Sequence, residues 1–260
     1  MKPELLEKLG DALFDAWRMR QPVAPLTQAH PEMTIDDAYA VQQRMIARRR
    51  DSGPRVVGKK IGLTSKVVQS MLGVDQPDFG YLLSDIVCAD GDAISAQALI
   101  APKIEGEIAF VLKSTLAGPG VGSADVLRAT EFVAPCFEVV DSRILDWKIR
   151  IQDTVADNAS AGLFVLGGTV ADPRRLDLAL CGMVIEKNGE VVATGAGAAA
   201  LGSPVNAVAW LANRLGQLGI ALEAGEVILS GSLAAMLPAR TGDIFRCSLG
   251  GIGTVSTRFA

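Results

Sequence analysis

Residues 102–110, PKIEGEIAF, place two glutamates two positions apart inside an otherwise apolar run. Two isoleucines and a phenylalanine around them supply the bulk that favours a β-strand. Side chains on a strand alternate between its two faces, so Glu105 and Glu107 project to the same side. Two like charges on one face of a buried strand repel each other and lose their hydration. The stretch therefore predicts a strand whose two carboxylates need a group that neutralises them.

A third glutamate interrupts another strand-like run, APCFEVVDS (134–142), where a solvated charge is unexpected at Glu138. Three carboxylates on adjacent strands, without His or Cys, would form an oxygen-rich site for a hard cation, Mg²⁺ or Mn²⁺. One alternative is that Glu105 and Glu107 lie on the wet face of an edge strand, paired with surface lysines such as Lys113. A glycoside-hydrolase carboxylate pair is another, although the aromatic content of 5% is low for a sugar-binding site.

The composition narrows the class of protein. The chain has 260 residues, of which 49% are hydrophobic, and a net charge of −4, which predicts a sizeable core and gives little support for nucleic-acid binding. No long uncharged apolar run predicts a membrane span. The four scattered cysteines indicate neither a disulfide framework nor a zinc site, and they fit a reducing cytoplasm. The single histidine, His30, argues against a His-rich metal site.

The sequence pattern divides the chain into a helical part and a β-rich part. Apolar residues at every fourth position from Leu5 to Trp17 predict a helix, and residues 34–37 predict a capping box for another. Residues 1–52 are therefore expected to form an N-terminal helical segment that serves as a lid or an interface. Short β-like runs separated by Gly, Pro and Asp follow over residues 53–260. This pattern predicts an α+β fold with a mixed or antiparallel sheet.

Local patterns predict the elements of this β-rich core. The expected strands are RVVGKKIGL (55–63), KIEGEIAFVL (103–112), APCFEVVDS (134–142), a hairpin turning at Asn188-Gly189, and three strands within residues 226–259. The expected helices are SKVVQSMLG (65–73), SADVLRATEF (123–132, capped by Ser123) and SPVNAVAWLANRLGQLG (203–219, capped by Ser203). QPDFGYL (76–82) predicts a turn, because Pro, Asp and Gly favour turns.

Two short motifs resemble nucleotide-binding loops. GPRVVGKK (53–60) approximates a P-loop but has Lys60 where a magnesium-binding hydroxyl is needed. GAGAAA (195–200) satisfies G-x-G-x-x-A, but Gly-Ser-Pro at 202–204 interrupts the helix that this fingerprint requires. We expect neither to bind a nucleotide, and we interpret the second as a small-residue turn where two backbones approach closely.

Longer strings coincide in order with one family. The sequence resembles, nearly end to end, the 2-keto-4-pentenoate hydratase / 4-oxalocrotonate decarboxylase family of the fumarylacetoacetate hydrolase superfamily. The strings that carry the resemblance are VVGKKIGLTS, LGVDQPDFGYL, PKIEGEIAFVL, DTVADNAS, ATGAGAAALGSPVNAVAWLAN, GEVILSGSL and GIGTVSTRF. The resemblance implies a mixed, mostly antiparallel β-sheet roll or sandwich like the fumarylacetoacetate hydrolase C-terminal fold, with the helical segment in front of it.

The resemblance also implies site residues. In that family the E-x-E pair and a later glutamate bind a divalent metal, and the matching positions here are Glu105, Glu107 and Glu138. The family's lysine matches Lys60, which would anchor a substrate carboxylate or move protons; without the resemblance it would be an exposed strand lysine. Because side chains alternate, Lys59 and Lys60 are expected to face opposite sides, so that only one enters the site.

Further positions follow from the same resemblance. Asp78 is expected to act as an acid or base and Ser160 to contact the substrate, although both could instead shape turns. Arg143 and Lys148 could attract an anionic substrate or form surface salt bridges.

The activity that the family implies is hydration of 2-hydroxypenta-2,4-dienoate, the enol of 2-oxopent-4-enoate, to 4-hydroxy-2-oxopentanoate in meta-cleavage degradation of aromatics. The 2-oxo acid would bind the metal through its C1 and C2 oxygens, which stabilises an enolate. The shared motifs leave open a 4-oxalocrotonate decarboxylase and a non-catalytic partner in a complex with a neighbouring pathway enzyme. A hydrolase would need a further acid–base dyad. A homo-oligomer is expected.

Overall fold

The chain folds around a β-sheet that contains the two glutamates of the PKIEGEIAF stretch. The structure is a computed structural model that describes residues 1–66, 69–70 and 73–260. The helix predicted over 65–73 includes Val67, Val68, Met71 and Leu72, which lie outside the described residues, and it stays a prediction.

The strands are short and numerous, as the Gly- and Pro-punctuated sequence predicts. In chain order they are β1 (Val56–Gly62), β2 (Asp78–Leu83), β3 (Val87–Ala89), β4 (Ala93–Ile94), β5 (Lys103–Leu112), β6 (Thr130–Val140), β7 (Ala161–Leu166), β8 (Gly182–Lys187), β9 (Glu190–Ala196), β10 (Val227–Leu229), β11 (Leu237–Pro238), β12 (Ile244–Leu249) and β13 (Gly253–Phe259).

The strands form two sheets. The larger has the order β2-β1-β10-β5-β6-β7-β3, and β11 also pairs with β5; the smaller has the order β4-β13-β12-β8-β9. The pairs β1–β10, β3–β7 and β4–β13 are parallel. The other pairs among the described strands are antiparallel. The predicted α+β class with a mixed, mostly antiparallel sheet is confirmed.

The two faces of β5 have different surroundings. Ile104, Ile108 and Phe110 are completely buried on the face that packs toward the smaller sheet. On the neighbouring strand β6, the ring of Phe137 lies 6.4 Å from that of Phe245 in β12, in an edge-to-face contact. The apolar face of the larger sheet thus fills the core, and alternation turns the acidic residues of β5 and β6 to the other face.

The N-terminal helices are α1 (Pro3–Met19), α2 (Leu26–Ala29) and α3 (Ile35–Asp51). The capping box predicted at residues 34–37 is present, with Thr34 and Asp37 bonded to each other's backbone. The four-residue helix α2 lies between the two helices that the sequence predicts. Gln42 of α3 is fully buried and donates to the carbonyl oxygens of Phe79 and Val155, at 2.8 and 3.0 Å.

The later helices are α4 (Ser123–Ala129), α5 (Ile151–Ala156) and α6 (Pro204–Gly216). The N-cap of α4 is Gly122 and not Ser123, and the helix ends at Ala129 because Thr130 begins β6. Ser203 is the N-cap of α6, although its side chain makes no capping bond. Asn188 and Gly189 turn the β8–β9 hairpin with positive φ, as predicted.

Two predictions for the core are wrong. The turn predicted at QPDFGYL is the buried strand β2, in which Asp78 pairs with Gly62 and Gly80 with Lys60. Gly80, which the sequence predicts to be a turn residue, is instead needed for packing, because a Cβ there would collide with the carbonyl oxygen of Asn158. The final segment contains four strands and not three, since the short β11 also pairs with β5.

Neither nucleotide-like motif forms a phosphate loop. Residues 53–60 run directly into β1. At 195–200, Gly195 lies in β9, and a Cβ on Gly197 would collide with the carbonyl oxygen of Leu178. The prediction of closely approaching backbones is confirmed. Among the described residues, no helix combines the length and apolar character that crossing a membrane requires.

Candidate metal centre

Three glutamates converge on the polar face of the larger sheet. The antiparallel register places Glu105 directly opposite Glu138, while Glu107 pairs with Cys136 and lies diagonally from Glu138. One carboxylate oxygen from each glutamate lies within 4.8 Å of the others. Glu107 and Glu138 are fully buried, whereas Glu105 is partly exposed. The cluster is therefore most accessible from the Glu105 side.

Three oxygens of this cluster accept no hydrogen bond from the described residues. Within the described part of the chain, Oε1 of Glu107 and both carboxylate oxygens of Glu138 accept no hydrogen bond. The backbone N–H of Gly231 donates to Oε2 of Glu107 at 2.8 Å. Buried acceptors without donors are costly, and an all-oxygen donor set is what Mg²⁺ and Mn²⁺ prefer. The residues present therefore fit a hard divalent cation.

The alternative of a wet edge strand is wrong. β5 lies between β10 and β6 in the sheet, so neither of its edges faces solvent. Lys113 does not reach the glutamate pair and instead lies 4.0 Å from Glu131.

The electrostatics of the cluster agree with this fit. Burial and repulsion from Glu138 raise the pKa of Glu105 to about 7. Burial, with repulsion from Glu138 and Glu105, raises the pKa of Glu107. Burial also raises the pKa of Glu138, although Lys60 opposes the shift. Without a cation the cluster holds protons more tightly than ordinary carboxyls do, and a divalent cation would take their place.

Lys60 lies beside the glutamates. Its Nζ is 3.1 Å from Oε1 of Glu138 and donates to the carbonyl oxygen of Ala159 at 3.0 Å. Burial alone would lower the pKa of Lys60, but Glu138 and the neighbouring carboxylates raise it above its usual value. Lys60 is only 3% exposed, so the exposed-lysine alternative is wrong. Lys59 faces the other side and pairs with Glu226 at 2.5 Å, as alternation predicts.

Asp78 lies beside Lys60, on the strand β2 that pairs with β1. A Cβ on Gly62 would collide with Oδ1 of Asp78 and lie 3.4 Å from Nζ of Lys60, so the missing side chain at Gly62 leaves room for both groups. Asp78 is buried, and its Oδ1 has no hydrogen-bond partner among the described residues. Burial raises its pKa, and Lys60 partly offsets the shift. A carboxyl in this state can hold a proton and release it.

Ser160 lies in the turn that contacts Lys60. The turn Asn158–Ser160 is buried, and its middle residue provides the Ala159 carbonyl. The Ser160 hydroxyl is 3.3 Å from Oδ2 of Asp157. The structure therefore places Ser160 one residue from a Lys60 contact, and its contact with substrate stays a prediction.

The two candidate anion-attracting residues differ. Arg143 is 1% exposed and forms an ion pair with Asp157, so the surface-salt-bridge alternative is wrong for it, and its attraction of an anionic substrate stays a prediction. Lys148 is exposed and lies 3.2 Å from Asp146, which is an ordinary surface pair.

The sequence gives no sign of two parts of this centre. The N–H of Gly231 and the carbonyl of Ala159 are backbone groups that every residue carries, so composition cannot reveal them. The hydroxyl of Ser230 is also completely buried and has no partner among the described residues. The only signal for this segment is the small-residue string SGS after the strand VIL.

The sequence and the fold match a family of known proteins. The family model described as fumarylacetoacetate (FAA) hydrolase C-terminal matches residues 57–260. The chain belongs to the fumarylacetoacetate hydrolase family. Within this family it is similar to the 2-hydroxypent-2,4-dienoate hydratase of Pseudomonas putida, with 61% identity over 222 residues, 85% of this chain and 100% of that relative. It is also similar to the 2-hydroxyhexa-2,4-dienoate hydratase of Comamonas testosteroni, with 56% identity over 258 residues and 98% of each chain.

A solved member of the family has nearly the same fold. The 4-oxalocrotonate decarboxylase from Pseudomonas putida G7, complexed with magnesium and adipate, is 40% identical and superimposes with a TM-score of 0.97 over 100% of this chain and 99% of that one. The fumarylpyruvate hydrolase from Pseudomonas aeruginosa is 13% identical with a TM-score of 0.62, over 78% of this chain and 88% of that one, and shares the fold alone. The resemblance to the fumarylacetoacetate hydrolase superfamily, and within it to the hydratases and decarboxylases, is thereby confirmed.

Proposed function

We propose that this fumarylacetoacetate hydrolase family enzyme adds water to 2-hydroxypenta-2,4-dienoate and forms 4-hydroxy-2-oxopentanoate, in meta-cleavage degradation of aromatics. The observation that carries the proposal is the convergence of three carboxylates beside a buried lysine, in which one oxygen of Glu107 and both oxygens of Glu138 accept no hydrogen bond from the described residues. The chain that holds them is 61% identical to a named hydratase. It is also 49% identical to the 2-keto-4-pentenoate hydratase of Paraburkholderia xenovorans over 100% of this chain.

Glu105, Glu107 and Glu138 would hold Mg²⁺ or Mn²⁺. When bound, the cation supplies positive charge against the three carboxylates and Lewis-acid polarisation of the 2-oxo oxygen of the substrate. The partnerless oxygens of Glu107 and Glu138 support this assignment. The magnesium complex of the 40% identical decarboxylase supports the choice of a hard cation.

Lys60 would bind the substrate anion. An ammonium group has three donors, one of which is donated to the Ala159 carbonyl, and Nζ also lies 3.1 Å from Oε1 of Glu138 in an ion pair. Donor capacity therefore remains for a substrate carboxylate or oxygen. Because the carboxylates around it keep Lys60 charged, it acts as a fixed cation and donor at the buried end of the site.

Asp78 would move protons and Ser160 would contact the substrate. Hydration needs removal of the 2-hydroxyl proton of the dienol and delivery of a proton to C5, which gives the 2-oxo-3-enoate, then removal of a proton from the water that adds at C4, and protonation at C3. Asp78 has a raised pKa, and its Oδ1 near Lys60 has no hydrogen-bond partner among the described residues. Both properties suit a group that donates and accepts protons. Ser160 directly follows Ala159, whose carbonyl accepts a hydrogen bond from Lys60, and this sequence neighbourhood supports its role.

The decisive assay uses freshly generated dienol with the metal-replete protein and with protein treated with EDTA. We expect loss of dienol absorbance and formation of 4-hydroxy-2-oxopentanoate with Mg²⁺ or Mn²⁺, and neither after chelation. Hydration that persists at full rate in EDTA would contradict the metal role. No hydration by metal-replete protein would contradict the proposed function.

A decarboxylase is the second candidate. It is supported by the 40% identity and the TM-score of 0.97 to the solved 4-oxalocrotonate decarboxylase. The two reactions share metal-assisted enolate stabilisation and differ in whether water adds or carbon dioxide leaves. Carbon dioxide release from 4-oxalocrotonate, without hydration of the dienol, would establish this alternative.

Residues 1–52 would act as an interface against the catalytic core 53–260 and not as a lid. Gln42 is tied to two core carbonyls, and the Thr27 hydroxyl donates to Asp153 at 2.6 Å. Buried polar contacts of this kind favour a fixed segment.

The proposal extends to the cellular setting. It includes a homo-oligomer, a complex with a neighbouring pathway enzyme as its alternative assembly, and a cytoplasmic location. All four cysteines are free thiols, which agrees with a reducing compartment. Light scattering of the purified protein, alone and with the neighbouring enzyme, tests the assembly.

A further inference from the structure

The turn that contacts Lys60 has an unusual backbone. Asn158, Ala159 and Ser160 are consecutive and all have left-handed φ values, of 54°, 49° and 54°. Residues other than glycine adopt this conformation at a cost, and a run of three persists only when its surroundings hold it. The turn is also buried, so solvent does not stabilise it. Something in the protein must therefore fix it.

Arg143 fixes both ends of this turn. Its guanidinium donates to the carboxylate and to the carbonyl oxygen of Asp157, immediately before the turn, and to the carbonyl oxygen of Ala161, immediately after it, at 2.8 Å. It also donates to the carbonyl oxygen of Asp141, which follows β6. Its backbone N–H donates to Oδ2 of Asp157 at 3.0 Å. The turn is thereby tied to the end of the strand that carries Glu138.

A second tie joins the turn to β2. The Asn158 side chain accepts from the Tyr81 N–H at 2.7 Å and donates to the Tyr81 carbonyl at 2.9 Å. This pairing mimics a strand neighbour and fixes the first residue of the turn. Gly80 leaves the space in which the Asn158 backbone lies. The carbonyl of Ala159 is consequently directed at Lys60 from a frame held on two sides.

We propose that the buried Arg143–Asp157 pair is a positioning device for Lys60, acting through the left-handed Asn158–Ser160 turn and the Ala159 carbonyl. Four of the five guanidinium N–H groups of Arg143 are bonded within the chain, and the pair is buried, so the guanidinium is committed to contacts inside the protein. The pair fixes one of the partners of Lys60. The inference rests on the proposed role of Lys60 in the hydratase reaction.

The experiment compares Asp157→Asn with Glu226→Gln. Both replace the carboxylate of a buried ion pair with its amide, but Glu226 pairs with Lys59 on the other face of β1. We expect Asp157→Asn to lower kcat by about ten- to hundredfold, because small misplacements of catalytic groups have effects of this size. The Mg²⁺ Kd should stay within about threefold of wild type, since no metal ligand changes. Glu226→Gln should retain kcat within about twofold while losing stability.

A double-mutant cycle separates positioning from general destabilisation. If Asp157 acts through Lys60, Asp157→Asn should lower kcat in wild type and leave it within about twofold in a Lys60→Met background. Equal losses in both backgrounds, an unchanged kcat in the single variant, or a parallel loss of Mg²⁺ affinity would each overturn the proposal. Wild-type hydration, measured alongside, reports on the proposed function independently of this result.

Asn158→Ala provides a milder test if Asp157→Asn does not fold. This variant loosens the turn by removing the two bonds to Tyr81 and leaves the buried ion pair intact. We expect a smaller loss of kcat, again absent in the Lys60→Met background. A loss of kcat that persists without Lys60 would refute positioning through that residue.

Discussion

Glu107→Gln should have opposite effects on the metal-free and the metal-bound protein. Its carboxylate belongs to a group whose oxygens lie within 4.8 Å of one another, and burial and neighbouring charges raise its pKa. At an effective dielectric constant of about 20, two unit charges separated by 4.8 Å repel by about 3.5 kcal/mol. Proton uptake relieves part of this repulsion. Removing the charge should therefore stabilise the metal-free protein by about 1–3 kcal/mol.

The metal-bound protein should respond in the other direction. A glutamine amide keeps the acceptor for the Gly231 N–H but removes an anionic ligand. A metal present at about 100 times its Kd stabilises a fold by about 2.7 kcal/mol, and this falls to about 0.4 kcal/mol if the Kd rises about a hundredfold. We expect Mg²⁺ to raise the free energy of unfolding of wild type strongly and that of Glu107→Gln only slightly.

Urea unfolding followed by circular dichroism, in EDTA and in saturating Mg²⁺, measures both effects. Glu131→Gln is the matched control, because Glu131 is exposed and its nearest cation, Lys113, lies 4.0 Å away. It should change neither the stability nor the response to Mg²⁺. A metal-free Glu107→Gln protein less stable than wild type, or an equal Mg²⁺ response in both, would refute the assignment of Glu107 as a ligand.

Three further substitutions test other parts of the structure. Lys60→Ala should lower kcat by about a hundredfold or more, with a much smaller change in Mg²⁺ Kd, because it removes the cation proposed to bind the substrate and none of the proposed metal ligands. Asp37→Asn should cost about 1 kcal/mol at pH 7 by breaking a capping box. The N-terminal ammonium and Thr34 lower the pKa of Asp37 to about 2, so the stability difference, present above the ordinary value of 3.8, should vanish as the pH falls through about 2. Gln42→Leu should cost about 1–3 kcal/mol, because two buried carbonyls lose their donor.

Neighbouring residues provide the controls. Lys59→Ala should lower the free energy of unfolding and retain turnover, since Lys59 faces away from the site. Asp36→Asn should leave stability unchanged, because that side chain is 92% exposed. Equal turnover in the two lysine variants, or a stability difference for Asp37→Asn that persists at pH 1.5, would contradict the respective interpretation. Gln42→Leu with wild-type stability would show that the N-terminal helices are not anchored there.

Local rules predicted the parts of the fold that are determined locally. Alternation located the acidic face of β5, the Asn188-Gly189 pair located a hairpin, and a capping box located the start of α3. The same rules failed at β2, where Pro77, Asp78 and Gly80 have turn propensities. Pairing with β1 and the close approach of the 158–160 turn decide that segment, and both are contacts across long sequence separations.

The candidate metal centre also combines residues that local sequence rules predict with contacts that only the fold brings together. The three glutamates were accessible to sequence reasoning because their charges interrupt apolar strands. The environment of Lys60 was not accessible to the same reasoning, because its partner at Ala159 is a backbone carbonyl oxygen. In addition, the Arg143–Asp157 ion pair joins two residues that turn-forming rules would place at the surface. Arg143 is the clearest case, since its charge suggested exposure and the structure uses that charge inside the protein.

The charges of the glutamate cluster and Lys60 also influence whether Asp78 is protonated. Among the described residues, the ammonium of Lys60 lies near all four carboxylates, Glu105, Glu107, Glu138 and Asp78, while the partly exposed Lys103 acts on Glu105 alone. A divalent cation and the ammonium together balance three carboxylates and leave the fourth uncompensated in a buried setting, which is costly. Of the four, Asp78 is the one outside the proposed set of metal ligands, so we expect a proton to be retained most readily there. Its Oδ1, without a partner among the described residues, is then free to hold that proton toward the substrate. We therefore expect Asp78 to enter the reaction protonated and to act first as an acid, delivering the proton that C5 of the dienol requires.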